Sequence, residues 1–209
     1  MTFAEMKQKV RRKLNEGGST VFWSDDDVAG AINEGLAEMA DATEFYELWT
    51  MVPMLEGLTY YNLPEIVPGT FLSPRRPQNV TTEVWLKPSD PREMDYHTYV
   101  DWQLTAGSPE TYLMRGHWWF GVFPHEDRDT VGMRLYHTNI PQDMKEDWDE
   151  PGFPREFHDG LICYAMSDLM AQQRETKKAV EYWKAYLVYE EKLKAYVDQR
   201  IAIQRMDVL

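Results

Sequence analysis

Cysteine is nearly absent: Cys163 is the only one in 209 residues. One thiol can build neither an intrachain disulfide nor a thiolate metal cluster, which points to a reducing compartment. Nowhere do eighteen apolar residues run together, and the opening MTFAEMKQKV has no apolar stretch of signal-peptide length. The expectation is therefore a protein made in a cytoplasm, with no membrane partner. Positive charge is also scarce, since 22 Lys and Arg face 35 Asp and Glu, for a formal charge of -13. That balance argues against specific binding of nucleic acid, because phosphate recognition draws on clustered bases. The run Lys7, Lys9, Arg11, Arg12 and Lys13 is a local exception and reads as a solvated helix face.

Catalytic patterns are missing as well. The histidines are His97, His117, His125, His137 and His158, and no two sit at i, i+4 with a glutamate between them. There is no G-x-S-x-G elbow, no phosphate-binding G-x-x-x-x-G-K-[ST], and no G-x-G-x-x-G after a strand. His125-Glu126-Asp127-Arg128-Asp129 lacks the alternating spacing of a calcium loop and reads as a charged hairpin loop. Glu16-Gly17-Gly18-Ser19-Thr20 follows a helix, not a strand, and its lysines precede the glycines. No catalytic residue, cofactor or metal is expected, and a binding or assembly role is favoured over an enzyme. The enzyme alternative is a hydrolase using His125 or His117 with nearby carboxylates.

What is abundant lies at the other end. From Thr176 to about Arg205 there is neither Gly nor Pro, and the residues are mostly those that lose least on entering a helix. Tyr182, Tyr186, Tyr189, Leu193 and Tyr196 fall at i, i+4, i+7, i+11 and i+14, one face of a helix. Two readings of this aromatic stripe stand side by side: packing on the protein's own core, or binding a neighbouring subunit or partner.

Taken in order, Thr2 with Glu5 forms a capping box that opens a first helix, which Gly17-Gly18 stops. Ser24 followed by Asp25, Asp26 and Asp27 caps a second, with Val28, Ile32, Leu36 and Met39 as its apolar stripe and an end near Thr43. From Tyr46 to Ile140 the helical period vanishes. Short runs suggest antiparallel strands at 48–54, 58–63, 80–87, 111–115, 118–123 and 131–138, with hairpin turns at Glu56-Gly57 and Gly116-His117 and a short helix within 92–102. Trp118-Trp119 puts large side chains on both faces of its strand, one face for the core and the other for a second sheet or a partner. An acidic, proline-punctuated linker spans 141–154, and Pro154 starts a helix that breaks around Gln173 to Thr176 into a helical hairpin. The expected fold class is α+β. N-terminal helices (1–45) and a C-terminal helical hairpin (155–209) pack as one bundle, with an antiparallel β-sheet or small sandwich (46–140) inserted between them.

The motifs in their order resemble those of tailed-bacteriophage head-to-tail adaptor (connector) proteins. At the start, Phe22-Trp23-Ser24-Asp25-Asp26-Asp27 leading into Ile32-Asn33-Glu34-Gly35-Leu36 is similar to the family's Trp-[ST]-Asp-x-[DE] cap and Ile-Asn-x-[AG] helix. Near the end, the helix after Pro154 with Tyr164-Ala165-Met166 and Leu169, then Ala179-x-x-Tyr182-Trp183, matches in kind. In the middle, Gly121-Val122-Phe123-Pro124 is similar to a strand of such proteins, with His125-Glu126 in place of the usual residues. The resemblance implies a non-enzymatic virion protein at the head-tail junction, assembled in the host cytoplasm. It also implies a ring beneath the portal protein, usually of twelve copies. Such a ring extends the channel through which DNA passes without specific binding, and it offers a platform to tail, nozzle or tail-tube proteins. In several relatives the C-terminal segment docks on the portal, which would make Tyr182, Tyr186, Tyr189, Leu193 and Tyr196 partner-binding, with Trp118 and Trp119 as a second surface. A tail-completion or terminator protein is the alternative within the virion.

Overall fold

A computed structural model describes residues 1–15, 22–67, 70–97, 102–116, 118–128 and 130–206. The run at 16–20 with its Gly17-Gly18 stop, His117 and Asp129 lie outside the described residues. The chain divides into two compact units, one made of Met1–Tyr46 with Ile140–Leu209 and the other of Glu47–Asn139.

In the first unit, α1 (Phe3–Lys13) and α2 (Asp25–Thr43) both open on complete capping boxes, Thr2 with Glu5 and Ser24 with Asp27. Each box satisfies two of the amide groups that a helix start leaves without partners. Glu44 ends α2 in the left-handed conformation, φ 52°. A 3-10 turn at Arg155–Phe157 leads into α5 (His158–Gln172), and α6 (Thr176–Met206) follows after a three-residue break. The break falls where the helical hairpin is expected. Phe3, Met6 and Val10 of α1, the Val28-Ile32-Leu36-Met39 stripe of α2, and Leu161, Ala165 and Leu169 of α5 share one buried cluster with Tyr186 and Leu193 of α6.

The acidic segment 141–154 lies along this bundle as a strap. Asn33 of α2 clamps it twice, accepting from the Met144 amide at 3.0 Å and donating to the Met144 carbonyl at 3.0 Å. The strap in turn caps α1: the amides of Phe3 and Ala4 bond the carbonyls of Asp149 (2.8 Å) and Asp147 (3.1 Å). Lys7 pairs with Asp147 at 2.7 Å, so part of the basic run on α1 is spent on the strap.

Among the described residues the second unit has seven strands: β1 (Glu47–Met54), β2 (Tyr60–Asn62), β3 (Thr70–Asn79), β4 (Lys87–Ser89), β5 (Thr111–Arg115), β6 (Trp119–Phe123) and β7 (Thr130–Ile140). Helices α3 (Leu63–Ile66) and α4 (Pro91–His97) interrupt them. One sheet runs β1-β7-β3 and the other β2-β6-β5-β4. Val52, Met133 and Leu135 from the first sheet share a buried cluster with Phe120 and Val122 from the second, which makes this unit a small sandwich.

The strand β3 has no counterpart in the sequence expectation, and three expected details change. Glu56-Gly57 does form a turn, with Gly57 at φ 72°, but β1 pairs with β7 and β2 with β6, so the chain changes sheets there and forms no hairpin. The residues at 80–87 are mostly a turn. Asn79 Oδ1 accepts from the amides of Thr81 (2.9 Å) and Thr82 (3.3 Å), an Asx-type turn that folds the chain back so that only a short bridge, Gln78 with Trp85, forms in place of a strand. Finally, β4 pairs with β5 in parallel, which needs a crossover of a dozen or more residues; the connection containing α4 supplies it.

Candidate interaction surfaces

The aromatic stripe of α6 is mostly core. Tyr186 and Leu193 have no exposed surface. Tyr186 packs edge-on to Tyr164 of α5, ring centroids 5.3 Å apart, and Tyr196 lies 5.7 Å from Phe157. Tyr182, Tyr189 and Tyr196 are half-buried against the same cluster. Lys13 sits 5.5 Å from the Tyr182 ring, a cation–π contact from α1. Burial, with the Glu190 carboxylate close by, drives the Tyr186 hydroxyl far above the usual tyrosine range, so it stays neutral. As they stand, Tyr186 and Leu193 present nothing to a partner. Among the described side chains of α6, the outward apolar residues are Val180, Trp183 and Leu187, beside the stripe, and Val188 further round. By sequence period Trp183 and Leu187 only broaden the stripe; the structure turns them outward.

Trp118 and Trp119 stand differently. Both are about half exposed, at 49% and 46%, at the start of β6. Trp119 pairs across the ladder with Asn62 and Arg115, and its neighbour Phe120 is fully buried. Alternation gives Phe120 and Val122 to the sandwich core and sends Trp119 to the other face, while Trp118 lies in the turn before the strand, so neither tryptophan is the core residue that the sequence expected. The structure brings Trp118 and Trp119 together, and keeps them in a different unit from the tyrosines.

His125, His137 and His158 occupy structural positions. His125 bonds its ring Nδ1 to the Glu126 carbonyl at 3.0 Å. Glu126 is buried, and its carboxyl is held above the ordinary range by burial and by the neighbouring Asp127. His137 has a more suggestive setting: Nε2 lies 2.9 Å from Thr50 Oγ1 and Nδ1 lies 2.7 Å from Asn139 Oδ1. A hydroxyl, an imidazole and an orienting amide in that order copy the logic of an activated nucleophile. Yet His137 is only 1% exposed, inside the β1–β7 pairing, so no substrate reaches the ring. The trio pins two strands together. Among the described residues no cluster of three His, Cys, Asp or Glu is placed to hold a metal ion, and no helix is long and apolar enough to cross a membrane.

Two buried imidazoles give the fold a defined acid response. His158 places Nε2 2.9 Å from the Phe153 carbonyl and Nδ1 2.8 Å from the Met1 nitrogen, with Glu150 nearby. Burial is the main cause that lowers the pKa of both His137 and His158 below 6.5. The unfolded chain then binds protons that the folded chain refuses, so stability is complete above about pH 6.5 and falls as the pH drops toward the folded values. Thermal melts should be nearly superimposable at pH 7.5 and 7.0 and shift clearly downward by pH 5.5. An unchanged midpoint at pH 5.5 would contradict the neutral, buried assignment.

Comparison with known proteins bears on the family of the chain. The family model described as SU10 adaptor protein matches residues 1–207. A comparison with curated proteins finds no match.

Proposed function

We propose that this chain, which belongs to the SU10 adaptor protein family, joins the head of a tailed phage to its tail as a structural, non-enzymatic component of the virion neck. Its partners are the portal protein and tail proteins. Copies assemble as a ring below the portal, twelve in number, and extend the channel through which DNA leaves. The observation that carries this reading is the family match over residues 1–207. Supporting it are the residues of the family-like motifs, which serve the body of the fold rather than any reaction centre. Asp27 completes a cap, Asn33 holds the strap, and Gly35 makes room for Tyr164, whose ring lies 2.9 Å from where a Cβ would sit. The acidic balance suits a channel that must let phosphates slide past.

Mass measurement by light scattering, of the protein alone and mixed with the portal of its phage, tests the reading. A complex of ring size with the portal is expected, and a chain that stays small in the mixture overturns it. On this proposal Trp118 and Trp119 meet a portal or tail protein. Trp118→Ser with Trp119→Ser should weaken capture of that protein by about tenfold or more, the scale of losing two aromatic anchors. Circular dichroism should be unchanged, because both side chains lie outside the sandwich core. Capture equal to wild type for every neck protein would remove the pair from the interface.

A further inference from the structure

The outward flank of α6 and the neighbouring face of α2 form a patch with an aromatic floor and an acidic rim. Val180, Trp183 and Leu187 are exposed at i, i+3 and i+7, with Trp183 at 39%. Trp183 lies 6.0 Å from the ring of Tyr164, which packs over Gly35 of α2. Carboxylates surround these rings: Glu34, Glu38 and Asp168 act on Tyr164, and Glu190 and Glu38 act on Tyr186. Glu34 and Glu38 are exposed, and α2 carries no basic residue anywhere along its length. Between Val180 and Glu190 the cation of α6 is Lys184. Such a surface fits a helix that shows aliphatic side chains between lysines and arginines.

The chain contains a segment of that chemistry. Residues 192–206 carry Lys192, Lys194, Arg200 and Arg205 against Asp198 alone, interleaved with Ala and aliphatic residues. Tyr196 packs on the core of its own unit, and Asp198, Gln199 and Arg200 beyond it are exposed. Trp183 and Arg200 sit on the same unbroken helix, roughly 25 Å apart at 1.5 Å per residue. The helix cannot bend its end back onto its own patch.

We propose that the patch of Trp183, Leu187, Glu34 and Glu38 receives the basic end of α6 from a neighbouring copy of the chain. The contact uses two different surfaces of each subunit, the heterologous geometry that closes a ring when the rotation is right. It rests on the ring reading above and names the surfaces that build the ring.

Charge exchange tests it on the full chain by sedimentation at low salt. Glu34→Lys with Glu38→Lys should weaken self-association by about tenfold. This variant is less acidic than wild type, so relief of general repulsion would act in the opposite direction. Lys194→Glu with Arg200→Glu should cause a similar loss. All four changes together restore the net charge and both surfaces in exchanged form, and association should return to near the wild-type value. All six positions involved in this exchange and in its Trp183 and Leu187 floor are at least partly exposed, so unchanged circular dichroism is expected throughout.

The proposal is overturned if either double variant associates as wild type does, or if the fourfold variant stays as weak as the doubles. It is also overturned if the wild-type chain neither self-associates nor binds a labelled peptide of residues 190–206. The two readings fail separately. A ring on the portal built equally well from the Glu34→Lys, Glu38→Lys variant removes this contact and leaves the ring. A charge exchange that works in a chain indifferent to the portal does the reverse.

Discussion

Tyr186→Ala is expected to destabilise the helical unit by about 3–5 kcal/mol, the cost of emptying a fully buried aromatic site that cannot collapse. The side chain has no exposed surface and sits where α5 meets α6, edge-on to Tyr164 and 5.2 Å from Trp183. Removing it strips the floor from both rings. Neighbouring positions give little room to refill the space, because Ile32, Leu36, Leu161 and Leu169 already pack in the same cluster. Tyr186→Phe keeps the ring and removes only a hydroxyl, so it should cost no more than about 1 kcal/mol. Urea titrations of both variants, followed by helical circular dichroism, separate the ring from the hydroxyl. A loss below about 1 kcal/mol for the alanine variant would show that the aromatic stripe is not the core it is taken to be.

The helical half is legible in the sequence because its signals are local. Thr2 with Glu5 and Ser24 with Asp27 announce both helix starts, and both boxes form as read. The stripe from Val28 to Met39 needs only a 3.6-residue period to be found, and all of it is buried. Harder to see was the strap at 141–154, which reads as a tether because it is acidic and broken by proline. Its partners are remote in sequence: Asn33 lies 111 residues from Met144. No window of local pattern carries that clamp. Proline also hid β3, since Pro74 and Pro77 argue against an interior strand; the strand lies at the edge of its sheet, where proline is tolerated.

Of the candidate surfaces, periodicity locates the apolar face of α6 but cannot say what covers it. The structure divides that helix into a covered stripe through Tyr186 and Leu193 and an open flank through Trp183 and Leu187. The flank owes its place to Gly35 and Tyr164, again a pairing across helices that sequence spacing does not reveal. The tryptophan pair departs from its reading: strand alternation predicts one of the two inside, but Trp118 precedes β6, both are about half exposed, and Phe120 takes the place in the core.

Gly132→Ala should damage the sheet unit more than any other single methyl group added to it. Gly132 sits in β7 at φ 119°, a backbone region that side chains with a Cβ rarely adopt. Its added Cβ would collide with the Val52 carbonyl oxygen and lie 3.0 Å from the Val52 carbonyl carbon and 3.2 Å from Pro53 Cα. Those atoms are backbone, and they cannot swing aside as the tip of a side chain can. The site also coincides with the register shift between Val52 and Met54, where β1 and β7 are held at an irregularity. Val52 and Met133, which flank it, are both fully buried, so any displacement opens the sandwich core. Strain and overpacking together set the expected loss at about 2–5 kcal/mol. Gly57→Ala is the control. It too has a positive φ, 72°, but nothing lies within 4 Å of its would-be Cβ, and about 1 kcal/mol is expected from the backbone alone. Tryptophan fluorescence during urea unfolding reads both variants in the sheet unit. If Gly132→Ala costs no more than Gly57→Ala, the close approach of β1 to β7 at this point is not what holds the irregularity, and the strands must separate there more freely than their pairing implies.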